Sequence, residues 1–414
     1  MTDHVSTRPR VWLQAIVAAL LVALLVALAR ESTVHSIDFP VYHRAARQVM
    51  SGSFALYPAE AYGGRPGPSQ GFRYIPAIAI LFVPFGWLPL ELAALTFFAL
   101  KLAALWYIGV TVARHAGLST SLPVVLLVAF LVVGGYLVEE FRFGNVHFLC
   151  IALLVFAYDK VESGQVWLPA AALAVAIATK LTPLALLAYF AFRRRTAACL
   201  ATIAILAVLL VLPAVFIGRT AYERELRAFA TYAVEKVDEG DNYSLRGVLL
   251  RYLTPGPAHA PQPPANIANL SPMVVDSLWV VGVLGLGLLS LRIFWQESQD
   301  SVARLIEFSI VLTFMVLASP HTQRRYFVAL YVPAVALASL FTVARREDEK
   351  RVALVGLIAM AAPATILPLV FGGRTLALLY EASSPYFFGT LLLFTTLAVL
   401  TARRKAPRSE ETVR

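Results

Sequence analysis

The chain is made largely of long apolar runs, many of which contain no charged residue. The first of them, Val11 to Ala29, is long enough as a helix to cross about 30 Å of hydrocarbon. Across all 414 residues, 59% are apolar and 14% are charged, whereas a soluble domain carries about 25% charged residues. The sequence therefore excludes a soluble globular domain and predicts an all-α integral membrane protein that crosses the bilayer many times.

The basic residues lie in short clusters between the apolar runs and give a formal net charge of +10. This distribution is typical of loops that orient a membrane protein, so no nucleic acid partner is predicted. The two cysteines, Cys150 and Cys199, lie inside apolar runs, which argues against a disulfide scaffold and against iron–sulfur chemistry. The histidines show no metal-ligand spacing, so neither a metal nor a cofactor is predicted.

We predict about twelve transmembrane helices with both termini in the cytoplasm. This number puts three basic clusters, Arg193–Arg195, Arg345–Arg351 and Arg403–Lys405, on the cytoplasmic side, as the positive-inside tendency requires. The apolar runs after the first lie near residues 88–113, 122–138, 146–158, 166–179, 183–192, 197–217, 273–295, 302–319, 326–343, 352–371 and 386–401.

Two long loops are predicted on the extracytoplasmic side, over residues 30–87 and 218–272. In the first loop, Phe39 to Met50 separates apolar from polar residues at helical spacing, which predicts a helix on the membrane surface that starts after Asp38. In the second loop, apolar residues between 222 and 233 have the same spacing and predict another surface helix.

The stretch 75–192 allows two topologies. In the first, the proline-rich piece Ile75 to Trp87 lies at the interface, Leu88 to Ala113 is the second span, and Lys180 is on the outer side. In the second, Ile75 to Trp87 crosses fully and Lys180 is internal, in the middle of a helix. In both, Lys180 joins two runs that are too short to span comfortably, and such broken helices occur only where protein or a cavity covers them.

Asp38 is the strongest catalytic candidate, because an ionisable residue at a membrane is costly to keep. Its carboxylate follows the first span and could act as a general base on an acceptor hydroxyl. The alternative is that Asp38 only caps the surface helix. The two roles are compatible, since a capped helix would hold the carboxylate still.

A dense polar cluster, EEFRFGNVH, occupies residues 139–147 between two apolar runs. Such a cluster could orient a sugar or a phosphate, and the alternative is a solvated turn closed by Gly144. The candidate substrate-binding residues in it are Glu140, Arg142, Asn145 and His147.

Two more cationic candidates lie in apolar or loop surroundings. Lys180 could neutralise a lipid phosphate as a point charge, and the alternative is that its ammonium only reaches for an interface. Arg246 has Asn242 and Ser244 as hydrogen-bonding neighbours in the segment NYSLRG, where a loop allows close approach to a ligand. An ordinary arginine in an amphipathic loop is the alternative there.

The hinge Ser319–Pro320–His321 is followed by Arg324 and Arg325. Both arginines fall on the outer side, against the positive-inside tendency, which indicates anion binding. The alternative is a loop that simply tolerates the charge.

Several familiar motifs are missing from the sequence. There is no P-loop, no G-x-G-x-x-G after a strand, no nucleophile elbow and no aspartate-x-aspartate motif. Nucleotide hydrolysis, α/β-hydrolase chemistry and a metal-bound nucleotide sugar therefore have no support. No matching halves are visible either, which argues against many secondary transporters.

Taken in order, these pieces resemble the GT-C type membrane glycosyltransferases, and specifically glycosyltransferase family 87, whose members are polyprenyl-phosphate-mannose-dependent α-mannosyltransferases. The resemblance runs from about residue 11 to 345 and rests on the ordered set rather than on one motif. The family commonly has Gly-Gln-x-Asn where this chain has Gly144-Asn-Val-His147. The matching segments are DFPVYHRAARQVMSGSFALYP, FRYIPAIAILFVPFGWLP, FGNVHFL, ATKLTPLALLAYFAFRRR, NYSLRG and SPHTQRRY.

The resemblance implies a GT-C type membrane domain over residues 1–345, followed by C-terminal helices and a cytoplasmic tail over 346–414. It implies that a hexose, mannose by family expectation, moves from polyprenyl phosphate to a glycolipid or glycan acceptor outside a bacterial-type plasma membrane. Asp38 would be the base of an inverting, metal-independent reaction, with His321 beside it. The implied substrate-binding residues are Tyr42, His43, Arg44, Tyr74, Glu140, Arg142, Asn145, His147, Lys180, Asn242, Ser244, Arg246, Arg324 and Arg325.

A lipid or polysaccharide transporter or flippase is the competing class, because broken helices and intramembrane cations also suit transport. Transport sites gather near the bilayer midplane, whereas the candidates here gather at one face beneath two long loops. A structural scaffold would not explain the outward arginines or Asp38. The sequence therefore favours an enzyme, a glycosyltransferase.

Overall fold

The computed structural model describes residues 25–62, 71–235, 241–255, 264–297, 300–366 and 374–405. The regular secondary structure in these ranges is entirely helical, with no strand. Only the end of the predicted first span lies within them. The helices are α1 (25–34), α2 (Phe39–Met50), α3 (Pro76–Leu81), α4 (Val83–Gly86), α5 (Leu90–His115), α6 (Leu122–Phe143), α7 (His147–Glu162), α8 (Trp167–Thr179), α9 (Leu184–Phe192), α10 (Thr196–Ile217), α11 (Arg219–Glu235), α12 (Leu245–Leu253), α13 (Pro272–Phe294), α14 (Ser301–Ala318), α15 (Tyr331–Val343), α16 (Glu347–Ala361), α17 (Arg374–Ala382) and α18 (Pro385–Lys405).

Within the described ranges, seven helical segments are long and apolar enough to cross a membrane. This confirms an all-helical protein with several membrane-spanning helices. The predicted total of twelve stays a prediction, because α7, α8 and α9 have 16, 13 and 9 residues and a full crossing takes about 20. The seven segments are α5, α6, α10, α13, α14, α18 and the continuous stretch Arg324–Val343, whose first turns are a 3₁₀ helix.

Helices are present at the two places in the long loops where surface helices were predicted, as α2 and α11. Helix α2 has the predicted bounds and buries one side against α3, α4 and the start of α5. The proline-rich piece before α5 forms α3 and α4, each too short to cross a bilayer. This agrees with an interfacial position for that piece and with α5 as a full span.

Helix α6 is longer than the sequence indicated. The apolar run ends at Val138, but the helix continues through Glu139 and Glu140 to Phe143. Gly144 stops it with φ +66°, in the left-handed region that favours glycine. The polar cluster is therefore not a solvated turn: its first half is the last turn of a helix, and Glu140 is buried there beside Lys101.

The predicted break at Lys180 separates α8 from α9. Lys180 itself is extended, with φ −148° and ψ 145°, and Pro183 can donate no hydrogen bond to a helix that would continue through it. The lysine side chain is thereby placed in a gap between two short helices.

Two groups of apolar side chains hold the bundle together. The larger one centres on α14 and α15, and α18 packs against α14 and α16. The smaller one joins α2, α3 and the start of α5 through rings that include Phe39, Tyr42, Phe82 and Phe97. The long first loop therefore has a folded core of its own, and that core carries the N-terminal side of the site described next.

The opposite end of the bundle is joined by ion pairs. Glu307 of α14 is fully buried and accepts from the Tyr189 hydroxyl at 2.9 Å and from Arg193, while Lys405 of α18 pairs with it. This end holds all three basic clusters that the sequence placed in the cytoplasm.

Candidate active site

A chamber of about 430 Å³ lies where the first loop meets the ends of the central helices. It contains both predicted catalytic residues, Asp38 and His321. Its volume is within the usual range of about 300–1,000 Å³ for small-molecule sites. The lining residues are Ile37, Asp38, Val41, Tyr42, Gly71, Arg73, Tyr74, Phe143, Asn145, Thr179, Lys180, Tyr232, Asp241, His321, Gln323, Arg325 and Tyr326.

Asp38 occupies the N-cap position of α2, but its side chain makes no capping hydrogen bond. Its Oδ2 instead accepts a hydrogen bond of 2.7 Å from Nδ2 of Asn145 and lies 3.8 Å from Nε of Arg325. Within the described part of the chain, Oδ1 makes no hydrogen bond. One oxygen is thus held, and the other is available to a ligand in the chamber.

The amide of Asn145 has a fixed orientation. Its Oδ1 accepts a hydrogen bond of 2.9 Å from the backbone N–H of His147, at the start of α7. Because the carbonyl end is used in this way, the NH₂ end must point at Asp38, where a carboxylate needs a donor.

The backbone around Asp38 is tied to the end of α6. The Asp38 N–H donates to the Phe143 carbonyl at 2.9 Å, and the Ser36 hydroxyl donates to the same carbonyl at 3.1 Å. These contacts satisfy carbonyls that a helix end leaves open. A side chain on Gly144 would not fit there, because a Cβ would lie 2.2 Å from Ser36 Oγ and 2.9 Å from Phe39 Cβ.

Two cations face the chamber near Asp38. The Lys180 ammonium lies 3.0 Å from the centroid of the Tyr326 ring, and the Arg325 guanidinium lies 4.5 Å from the centroid of the Phe143 ring. The Nε of Arg325 is buried and makes no hydrogen bond to any described residue. Lys180 therefore lies inside the protein against an aromatic ring, and both side chains can meet an anion.

Tyr42 and Tyr74 form a hydroxyl pair on the chamber wall. Their oxygens are 3.0 Å apart and share a hydrogen bond. Burial, together with the neighbouring phenol and Asp38, raises the pKa of Tyr42 well above its ordinary value. Burial and the Tyr326 phenol do the same to the pKa of Tyr74. Both stay neutral and can offer hydrogen bonds to sugar hydroxyls.

Asp241 is a chamber residue that the sequence analysis missed. Burial, and then the charge of Glu139, raise the pKa of its carboxyl to about 7, although Arg325 acts in the opposite direction. The available signal was its place directly before Asn242 in the segment already singled out. Arg73 and Tyr232 were missed as well, and their side chains stack at 5.8 Å across the chamber wall.

Asn242 and Ser244 hold the hinge and lie outside the chamber wall. The Asn242 Nδ2 donates to the Pro320 carbonyl at 2.9 Å, and its Oδ1 accepts from the Thr322 N–H at 3.0 Å. The Ser244 hydroxyl donates to the same Pro320 carbonyl at 3.3 Å. The NYSLRG segment thus fixes the loop that presents His321 and Arg325.

The remaining predicted substrate-binding residues do not line the chamber, and most of them have protein partners elsewhere. Arg246 pairs with Asp276, with Nε 2.6 Å from Oδ1, and Arg324 pairs with Glu139. The other partners are Leu88 O for His43, Lys101 for Glu140 and Glu31 for Arg142, while Arg44 is exposed beside a separate cavity of about 200 Å³.

A smaller cavity of about 270 Å³ adjoins the chamber and shares Lys180, His321 and Tyr326 with it. His147 lines this cavity, and its ring lies 5.0 Å from the Tyr326 ring. Of the described residues, no three His, Cys, Asp or Glu come together as a metal site would require.

An apolar groove of about 520 Å³ meets the chamber at Thr179. It runs between α3, α4, α5, α7 and α8, and its walls are almost entirely hydrocarbon and aromatic rings such as Phe82, Phe97 and Phe156. A polar chamber and an apolar groove therefore share one boundary.

A many-helix membrane protein with a carboxylate and cations in one chamber beside an apolar groove has the parts of a membrane glycosyltransferase. The model of glycosyltransferase family 87 matches residues 72–320, which is more than half of the chain. The chain belongs to glycosyltransferase family 87 and is an enzyme, so the transporter alternative is dropped.

One relative is the polyprenol-phosphate-mannose-dependent alpha-(1-2)-phosphatidylinositol mannoside mannosyltransferase of Mycobacterium tuberculosis. The two sequences are 29% identical over 206 residues, which is 46% of this chain and 48% of the relative. The match thus spans about half the length of that protein. No solved structure matches the chain.

Proposed function

We propose that this protein transfers mannose from polyprenyl-phosphate-mannose to a glycolipid or glycan acceptor on the extracytoplasmic face, with Asp38 as general base. The observation that carries the proposal is the arrangement of the Asp38 carboxylate: Asp38 lines the chamber, Oδ2 is held by Asn145, and Oδ1 makes no hydrogen bond to a described residue. The proposed donor is the one named for the mycobacterial relative. The extracytoplasmic position of the chamber is inferred from the basic clusters, which favour the cytoplasmic side and lie at the opposite end of the bundle.

In the proposed step, Oδ1 of Asp38 takes the proton of the acceptor hydroxyl, and that oxygen attacks the anomeric carbon of the sugar. The bond between the anomeric carbon and the phosphate oxygen breaks, and polyprenyl phosphate leaves with the electron pair. The configuration at the anomeric carbon is inverted. The phosphate is stable as an anion and needs no proton, so Lys180 and Arg325 supply the positive charge it requires without a divalent metal.

The apolar groove is the proposed place for the polyprenyl chain. It meets the chamber at Thr179, one residue before Lys180, so a phosphate at the ammonium can continue directly into a hydrocarbon chain in the groove. Hydrocarbon and ring surfaces bind an isoprenoid without leaving polar groups unpaired.

The test is sugar transfer by the purified protein in liposomes, with polyprenyl-phosphate-mannose and a mixture of glycolipid acceptors. We expect Asp38→Asn to lower the rate by about a hundredfold or more while the yield of folded protein is unchanged. Asp348→Asn is the matched control, because Asp348 is an exposed carboxylate paired with Arg346 and Arg403 at the far end of the bundle.

Equal transfer by wild type and Asp38→Asn would remove Asp38 as the base while leaving a glycosyltransferase. No transfer by the wild type from any of several lipid-linked sugars would refute the proposed donor class. Transfer from another polyprenyl-phosphate sugar alone would keep the mechanism and replace mannose.

A further inference from the structure

Lys101 and Glu140 form an ion pair inside the bundle, close to the chamber but not in its wall. Lys101 lies in the middle of α5 and is 1% exposed, and Glu140 is 0% exposed near the end of α6. The Lys101 ammonium donates to the Glu140 carbonyl at 2.8 Å and lies 3.5 Å from Oε1. A charged side chain in the middle of a spanning helix is costly to insert into a membrane. The proposed sugar transfer uses neither group directly.

The Glu140 carboxylate caps the next helix in the chain. Its Oε1 accepts a hydrogen bond of 3.1 Å from the Phe148 N–H, in the first turn of α7. The N-cap residue of α7 is Val146, whose side chain has no acceptor. Glu140 therefore supplies the acceptor and the negative charge that a helix N-terminus favours.

The same first turn of α7 holds Asn145. The His147 N–H fixes the Asn145 carbonyl, and the Asn145 NH₂ donates to Oδ2 of Asp38. A continuous series of contacts thus leads from Lys101 through Glu140 and the start of α7 to the carboxylate in the chamber.

We propose that Lys101 and Glu140 are positioning residues, which fix the start of α7 so that Asn145 holds Asp38 in the geometry of a general base. The inference rests on the proposed function of Asp38. Loosening Asn145 would release Oδ2 of Asp38, because Asn145 donates the hydrogen bond that holds this oxygen. Misplacement by about 1 Å at a reacting centre lowers rates by up to about a hundredfold.

Two substitutions of Glu140 distinguish its hydrogen bond to the start of α7 from its negative charge. Glu140→Gln keeps an amide oxygen for the Phe148 N–H, and we expect kcat within about threefold of wild type. Glu140→Met removes the acceptor, and we expect kcat to fall about tenfold or more with the donor KM unchanged.

The double variant Lys101→Met with Glu140→Met is measured beside the single one. Removing one partner leaves a buried charge unpaired, whereas replacing both by apolar residues is often tolerated, so the double variant keeps the test valid if Glu140→Met does not accumulate. Glu307→Met is the matched control, because it removes another fully buried glutamate about 16 Å further along α14 from the chamber end. We expect its kcat per folded molecule and its donor KM to match wild type.

Amide hydrogen exchange without substrate tests the positioning apart from the activity. We expect the double variant to exchange faster in peptides covering residues 143–149 and 36–42, where α7 begins and Asp38 lies. Wild-type kcat and wild-type exchange in the double variant would overturn the inference. If wild type transfers no sugar, the proposed function fails, and unchanged exchange would then overturn the positioning role as well.

Discussion

Asp241 puts a second carboxyl into the chamber that Asp38 lines. Burial and Glu139 raise its pKa to about 7, so near neutral pH the carboxyl is partly protonated. Below that pH it is a neutral hydrogen-bonding group, and above it a negative charge joins the wall that is proposed to receive a phosphate. A single residue thereby makes the charge of the chamber depend on pH.

We expect the donor KM of wild type to rise as the pH increases through about 7, because ionised Asp241 repels the donor phosphate. Asp241→Asn is neutral at every pH and should show a smaller rise, because burial lowers the pKa of Lys180 to about 7 and its ammonium still loses charge in the variant. The measurement is donor KM between about pH 6 and pH 8 for both proteins. The same slope in both, or none in wild type, would contradict the role.

The sequence predicted which residues lie in the candidate site better than it predicted their hydrogen-bond partners. Asp38, Lys180, His321 and Arg325 stood out as costly charges at a membrane, and the structure brings them into one chamber. The partner of Asp38 did not stand out, because Asn145 lies 107 residues away and only the fold brings them together. The NYSLRG segment pointed to a ligand, yet its amide and hydroxyl hold the hinge.

The turn between α6 and α7 is the element on which the site depends. It carries Asn145 and accepts hydrogen bonds from the segment before α2. It begins at Gly144, which ends α6 with φ +66°. Backbone of this kind tolerates no larger residue when a neighbouring chain lies against it.

We expect Gly144→Ala to destabilise the protein by about 2 kcal/mol or more and to lower transfer, because the new Cβ meets Ser36 and Phe39 and the φ angle disfavours it. Gly285→Ala is the control, since a Cβ there meets nothing within 4 Å. Thermal unfolding of the detergent-solubilised proteins gives the comparison. An unchanged Tm for Gly144→Ala would show that the turn can relax.

The bounds of α2 and α8 agree closely with those predicted from the apolar pattern. The predicted end of α6 was too early, because two consecutive glutamates, Glu139 and Glu140, are typical of a solvent-exposed turn. Lys101 lies 39 positions earlier and nothing local indicates that it neutralises Glu140. The residue pattern along one helix cannot show that a charged side chain is neutralised by a residue on another helix.

The whole molecule has two chemically different ends. The chamber lies beneath the first loop, and the opposite end carries the basic clusters together with the network around Glu307. Composition alone fixed the class as a membrane protein. The number of membrane-spanning helices was harder to predict from the sequence, because α7, α8 and α9 are apolar but shorter than a full crossing requires.

We expect a cysteine at Ser53, in the first loop, to react with a membrane-impermeant maleimide in intact cells, and a cysteine at Arg345 to react only after permeabilisation. Both positions are exposed, so access depends on the side of the membrane. Wild type supplies the background, and the native Cys150 and Cys199 are buried. The reverse pattern would place the chamber in the cytoplasm.

The shared boundary between groove and chamber at Thr179 bears on how the enzyme meets its donor. A molecule whose tail lies in the groove while its head is in the chamber need not pass through water to reach the carboxylate. Encounter is then a search within a plane, and the rate follows the mole fraction of donor among the surrounding lipids. Diluting the vesicles in buffer should leave turnover unchanged, whereas diluting the donor with inert lipid should lower it.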